Sequence, residues 1–396
     1  MLLLLSTSDT DLMSARAANG LDDRDQRETQ DADPSLVAPT WRYANPSRLT
    51  LDELDALTAG TDLVVVRLLG GRKAWEDGLD RLLAGPRPVV VLTGEQAPDA
   101  ELMGLSTVPA GVAAQAHVYL AHGGPENLAQ LARFLSDTVL LTGEGFDAPT
   151  PAPAWGRLER AVTGSATRRE SGRGSDGSAK VGVLFYRAHQ MSGNTAFVEA
   201  LCDAIEATGA RALPIWCASL RDADESLLEA LSEADAIITT VLAAGGTKPA
   251  TAQAGGDDEA WDAGALEALD RPILQALCLT SSRATWEEND EGVSPFDAAT
   301  QIAVPEFDGR IITVPFSFKE FDADGLPAYV PDPERAARVA GLAVSHARLR
   351  HLDPSEHRVA LVLSAYPTKH ARIGNAVGLD TGASAVALLS RLRDEG

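Results

Sequence analysis

Two stretches carry the side chains best suited to chemistry. The first, "FYRAHQMSGNTAF", sets Arg187, His189 and Asn194 between an apolar run and a helical one, with Gly193 leaving room for close approach. Three hydrogen-bonding groups at the end of a strand suit ligand contact, because open α/β sheets bind ligands beyond the carboxyl ends of their strands. A solvated loop is the plainer alternative. The second, "IAVPEFDGRIITVPFSFKE", gathers Glu306, Arg310 and Lys319 around Asp308-Gly309. Asp-Gly between apolar stretches predicts a hairpin turn. The mixed charges could also present a cation to a carboxylate ligand, although spacing alone slightly favours a simple turn.

Other candidates are weaker. "STSDTDL" places Asp9 and Asp11 just ahead of a helix, for capping by Ser8 or Asp9 or for ligand contact at the helix N-terminus. His117 and His122 lie in a run that reads as a strand, where an odd separation puts them on opposite faces. His346 and His351, on a predicted helix, fall about 140° apart around its axis. Neither pair can share a metal ion. Cys202, Cys217 and Cys278 form no CxxC pair and fit buried small apolar side chains. With no Gly-Lys dipeptide there is no phosphate loop, and HExxH, GxSxG and a GxGxxG following a strand are also missing. The chain shows no means of hydrolysing ATP and no nucleophile constellation.

The elements that must position these residues alternate. Leu2–Leu5, "TDLVVVRLLGG", "RPVVVLTGE" and "AHVYLAHGG" read as short strands between helical stretches, and "SRLTLDELDALTAG" as a helix capped by Thr50 or Ser47. Residues 21–38 are acidic and unpatterned, which predicts a mobile loop. A Pro-rich and then Gly/Ser-rich stretch at 147–179 predicts a linker. The pattern restarts at Lys180 with strands "KVGVLFY", "ARALPIW", "ADAIITTV" and "RPILQALCL" and a helix "TAFVEALCDAIEATG". The fold class is therefore α/β, with consecutive doubly wound parallel-sheet (Rossmann/flavodoxin-like) domains at 1–146 and 180–352. A third unit opens at 353–396, with a strand at Val359–Leu363, a loop at Tyr366–Gly378 and a helix from Ala383.

Composition narrows the partners. With 57 acidic residues against 34 basic, the net charge is −23, which argues against nucleic acid. An anionic ligand must then be held by a local basic cluster. "MLLLLS" is too short for a signal segment and no stretch is long enough to span a membrane, so a cytoplasmic location is expected.

Longer segments add a resemblance. "LLLLSTSDTDLMSARAA", "YLAHGGPENLAQLARFLSDTVL", "KVGVLFYRAHQMSGNTAFVEALCDAIEATGARALPIW", "RPILQALCLTSSRATWEENDEGVSPFDAATQIAVPEFDGRII" and "YPTKHARIGNAVGLDTGASAV" run the length of the chain. In that order they resemble the large subunit of cobaltochelatase, kin to the porphyrin-binding subunit of magnesium chelatase. The resemblance implies a tetrapyrrole-binding subunit, acting where cobalt, as a substrate ion, enters hydrogenobyrinic acid a,c-diamide in aerobic cobalamin biosynthesis. ATP and Mg would be used by partner motor ATPase and adaptor subunits.

Candidate contacts to the substrate's carboxylates are then Arg187, Arg310, Lys319, Lys369 and Arg372, with His189, Asn194 and Glu306 beside them. Tyr186, Trp216, Trp286 and Tyr366 are candidates for an apolar face. Family members are much longer, and their later "GTHG" motif is not present, so the resemblance implies an amino-terminal part, inactive alone. Magnesium-chelatase-type porphyrin binding, or a non-catalytic docking module, is the alternative reading. Gly382 stands where the family usually has Pro, so the last helix is expected to fray, with Ala385, Val386, Leu389 and Leu392 exposed.

Overall fold

In the computed structural model the apolar runs form two main sheets. The structure describes residues 1–28, 39–95, 97–143, 145–160, 178–220, 223–242, 246–249, 259–262, 264–364, 374 and 377–395. The first sheet contains β1 (Leu2–Ser6), β2 (Trp41–Ala44), β3 (Leu63–Leu68) and β4 (Val89–Thr93), all parallel, in the order β2-β1-β3-β4. Its helices are α1 (Asp9–Glu28), α2 (Leu51–Thr58), α3 (Glu76–Leu83), α4 (Ala100–Met103), α5 (Ala110–His122) and α6 (Pro125–Val139). Every residue of β1, β3 and β4 is buried. Leu2, Leu4, Val65 and Leu92 meet apolar residues of α1, α5 and α6 on one face, while Leu3, Leu5, Val64 and Val66 meet Leu54, Leu79 and Leu82 on the other. A sheet covered on both faces requires continuous apolar strands, which is why no alternation appears in the sequence.

Local signals were mostly sound in this half. Thr50 caps α2 in a reciprocal box: its hydroxyl accepts from Glu53 N at 3.3 Å and Glu53 Oε2 accepts from Thr50 N at 2.9 Å. Two expectations fail. "AHVYLAHGG" belongs to α5, because its buried positions Ala116, Tyr119 and Leu120 follow the 3.6-residue period, and Gly123 at φ +65° ends it. The segment from 21 does not leave the first helix at once, since α1 continues through Glu28; 29–38 lie outside the described residues.

The second sheet holds β5 (Trp155–Arg157), β6 (Lys180–Tyr186), β7 (Arg211–Cys217), β8 (Ala236–Thr239), β11 (Ile273–Leu279), β12 (Ile311–Phe321) and β13 (Pro327–Pro331), in the order β13-β12-β11-β8-β6-β7-β5. A separate antiparallel pair is formed by β9 (Gly246–Pro249) and β10 (Glu259–Asp262). Between them run α7 (Arg187–Ser192), α8 (Ala196–Ala207), α9 (Glu225–Ser232), α10 (Arg283–Glu287), α11 (Pro295–Asp297), α12 (Val304–Phe307) and α13 (Pro333–Leu349), with a π-helical stretch at Ala298–Ala303. Past the end of β8 the Gln301 carboxamide takes a strand's place on that edge of β11: Cys278 N donates to its Oε1 at 2.8 Å and its Nε2 donates to Cys278 O at 2.6 Å.

Three sequence expectations change here. Trp155–Arg157, read as linker, is an antiparallel edge strand on β7. The chain before it is tied to the first domain, where Asn127 and Thr150 exchange two hydrogen bonds of 2.9 Å; 161–177 lie outside the described residues. Asp308-Gly309 makes no hairpin. It ends α12, and β12 then runs parallel to β11; the real hairpin is Asp322–Leu326, where Asp322 Oδ1 accepts from Asp324 N and Leu326 N. Val359–Leu363 forms no strand, is exposed, and pairs with no described strand. Beyond it, α14 (Thr381–Glu395) buries none of its residues, and Asp380 accepts from Ala383 N at 3.0 Å.

The two sheets meet tightly. Leu326, at the end of the β12–β13 hairpin, is 2% exposed and sits in the core of the first domain. Arg16 on α1 pairs with Asp322 at 2.5 Å, and Arg48 donates to Gly325 O at 2.7 Å.

Candidate functional site

Strand order locates the site. In the first sheet the chain moves from β1 to β2 on one side and then places β3 on the other. In the second sheet it moves from β6 to β7 and then places β8 on the opposite side. These are topological switch points, where the loops leaving adjacent carboxyl ends diverge and open a crevice. The two crevices face one another across a single cleft of about 190 Å³, lined by Asp11, Ser14 and Arg67 from the first domain and Tyr186, Arg187 and Met191 from the second.

The first-domain wall is electrostatically closed. Arg67 Nη1 donates to both Asp11 oxygens at 2.8 and 3.0 Å, Ser6 Oγ donates to Asp11 Oδ2 at 2.7 Å, and the remaining guanidinium nitrogens donate to Thr93 O and Gly94 O. Both residues are buried. Burial pushes the Asp11 carboxyl above its usual range, against the pull of Arg67 and Ser6. Asp9, the other acidic residue of this loop, pairs outward with Arg48 at 2.8 Å.

The second-domain wall is different. Arg187 donates to Pro153 O at 2.8 Å, and no carboxylate pairs with it among the described residues. Desolvation alone acts on its guanidinium and lowers its pKa. Arg187 thus lines the cleft with its Nη1 held by main-chain carbonyls and no carboxylate beside it among the described residues. The His122 end of α5 and Gly123–Gly124 also line it, with Gly123 so close to Met191 that a Cβ there would lie 2.7 Å from Met191 Cε.

Of the described residues singled out from the sequence as ligand-binding cations, only Arg187 lines this cleft. His189 turns the other way, its ring edge-on to Phe197 at 5.0 Å and Tyr329 at 5.3 Å, and burial lowers its pKa to about 4. Asn194 is buried as a brace to β13, accepting from Tyr329 N at 3.0 Å. Arg310, expected to offer its charge to a ligand, has a side chain with no exposure: it donates to Asp308 Oδ2 at 2.7 Å, Gln275 Oε1 at 2.6 Å and Val241 O at 2.5 Å. Such a buried charge persists only because it is paired, so Arg310 serves the fold. Glu306 is exposed at the end of α12, and Lys319 lies over the Phe321 ring at 5.7 Å. Lys369 and Arg372 lie outside the described residues.

The aromatic candidates also disperse. Tyr186 reaches the cleft, Trp216 packs over Gly156, and Trp286 lies between Phe318 and the Arg335 guanidinium, while Tyr366 is outside the described residues. Sequence reasoning missed Arg67, although a signal existed: a charge inside "LVVVRL" must be paired once the strand is buried.

Among the described residues no three His, Cys, Asp or Glu side chains come together as a metal site. Burial raises the Cys202 and Cys217 thiols to about 12. No helix among the described residues is long and apolar enough to cross a membrane.

Comparison with known proteins supplies the family. Residues 117–396 match the family model described as CobN/Magnesium Chelatase. The chain belongs to that family. It is 34% identical to the aerobic cobaltochelatase subunit CobN of Pseudomonas aeruginosa over 377 residues, covering 90% of this chain and 29% of that protein. It is also 34% identical to the corresponding Sinorhizobium subunit, covering 100% and 31%. A solved structure, the catalytic subunit of cobaltochelatase from Mycobacterium tuberculosis, superposes with a TM-score of 0.77 at 57% identity, over all of this chain and 31% of that one. The chain thus spans about three-tenths of the length of these chelatase relatives, members of a metal-inserting enzyme family.

Proposed function

We propose that this chain is part of the large, tetrapyrrole-binding subunit of a cytoplasmic cobaltochelatase, acting on hydrogenobyrinic acid a,c-diamide with cobalt as the substrate ion. ATP and Mg are used by separate motor and adaptor subunits. The supporting observation is the graded similarity: 34% identity to the cobaltochelatase subunits over nearly the whole chain, against 25% to the magnesium-chelatase relative from Rhodobacter capsulatus over 70% of it. That gradient favours a corrinoid over a porphyrin and cobalt over magnesium.

Within this reading the chain contributes binding. Its net charge of −23 repels an anionic tetrapyrrole at long range, so contact must occur where local cations are exposed. Arg187, and secondarily Lys319, are half-buried with no carboxylate partner among the described residues, whereas Arg310 and Arg67 spend their charge on buried carboxylates.

The test is a titration of the chain with hydrogenobyrinic acid a,c-diamide and, in parallel, with protoporphyrin IX, following ligand absorbance and tryptophan quenching. Saturable binding of the corrinoid, tighter than the porphyrin and weakened by Arg187→Ala, is expected. Porphyrin preference, or no corrinoid binding by the folded chain, would remove this reading and leave a partner-docking role.

A further inference from the structure

The cleft between the switch points is too small for a macrocycle. Pockets that enclose drug-sized ligands run from about 300 to 1,000 Å³, whereas this one is about 190 Å³, room for roughly six water molecules at ~30 Å³ each. Its chemistry is nevertheless specific. One wall carries an arginine whose charge is already cancelled by Asp11, and the other carries Arg187 with no carboxylate partner among the described residues. Leu120, Met191 and Ala218 supply apolar surface, and Ser14 a hydroxyl. The α6 helix starts at this wall behind Gly124, but the Glu126 carboxylate of its first turn lies 3.9 Å from where a Gly124 Cβ would stand, so Arg187 and not the helix end supplies the positive charge.

We propose that this cleft is a carboxylate site formed jointly by both domains, taking a carboxylate on a short apolar chain with Arg187 as the anchoring cation. A planar guanidinium suits a carboxylate, which it can grip through two parallel N–H donors. The ligand has two possible sources, a free short-chain acid or the side arm of a larger molecule. Only the second rests on the tetrapyrrole reading above. Because the lining comes from both domains, occupancy stabilises their arrangement by mass action.

The experiment follows thermal unfolding and calorimetric binding of the chain with propionate, with propionamide as the uncharged counterpart, and with chloride at matched ionic strength. Propionate is expected to raise the melting temperature saturably and propionamide is not. Arg187→Gln should weaken propionate binding by about ten- to a hundredfold, the range for a lost charge-assisted hydrogen bond, with Arg187→Lys intermediate. Ala218→Leu, which fills the cleft without touching the cation, should also abolish binding. Equal behaviour of propionate and propionamide, or propionate binding undiminished in Arg187→Gln and Ala218→Leu, overturns the site, whether or not a corrinoid binds elsewhere. Displacement of propionate by hydrogenobyrinic acid a,c-diamide but not by its methyl ester identifies the side arm as the source. Propionate binding without such displacement upholds the site with a free acid as its ligand, and the tetrapyrrole reading is then judged by its own titration.

Discussion

His189 offers a direct test of how this structure treats a residue that the sequence presented as a ligand contact. Its ring sits edge-on between Phe197 and Tyr329, and burial holds its pKa near 4, against about 6.5 in an unfolded chain. The Tyr329 phenol, pushed up to about 12, stays neutral and offers no charge to stabilise an imidazolium. The folded state thus binds the proton less well than the unfolded state does. The stability held by neutral His189 is complete above pH 6.5 and is lost progressively as pH falls from 6.5 towards 4. At pH 5 the loss is about 1.36 kcal/mol for each of roughly 1.5 pH units below the unfolded pKa, or about 2 kcal/mol.

Urea unfolding followed by tryptophan fluorescence at pH 7.5 and pH 5 measures it, with His189→Phe and His189→Gln as references. Carboxylates titrating in the same window contribute equally to all three proteins, so the difference isolates the histidine. Wild type should lose about 2 kcal/mol more than either variant between the two pH values. Parallel pH dependence in wild type and variants would show that the imidazole is solvated, and would refute the packing argument.

Two further outcomes test the architecture. Leu326→Ala removes a side chain of the second domain from the core of the first and should cost about 2–5 kcal/mol; it should also speed proteolysis at the domain junction, and wild-type stability would mean that the hairpin does not lock the domains. Gln301→Leu leaves the main chain of Cys278 without its partners and should cost about 1–3 kcal/mol for each unpaired group, read as a shift in the denaturation midpoint; an unchanged midpoint would show that these groups find other partners once the carboxamide is gone.

The legible part of this protein was local. Continuous apolar runs at Leu2–Leu5, Val64–Val66, Val89–Leu92 and Val181–Phe185 became strands because each is buried on both faces, and burial of that kind is a property of composition over a few residues. Thr50 and Gly123 began or ended helices through hydrogen bonds and backbone angles that span one turn. Where the local signal was ambiguous, period decided: "AHVYLAHGG" holds as many apolar residues as a strand, but its buried positions recur every third or fourth residue.

The candidate site was legible only in part, because its charges are assigned by neighbours far apart in the chain. Arg187, Arg310 and Lys319 look alike as cations in a sequence. The fold buries Arg310 against Asp308 and Gln275, rests Lys319 on an aromatic ring, and leaves Arg187 facing a cleft whose other wall begins at Asp11 and Arg67. The amino-acid order alone therefore settled the α/β class and, through chain-long similarity, the family. Which cation keeps its charge free was decided by tertiary packing, since a buried charge must find a counter-charge or polar partners wherever the fold brings them, however distant in the chain.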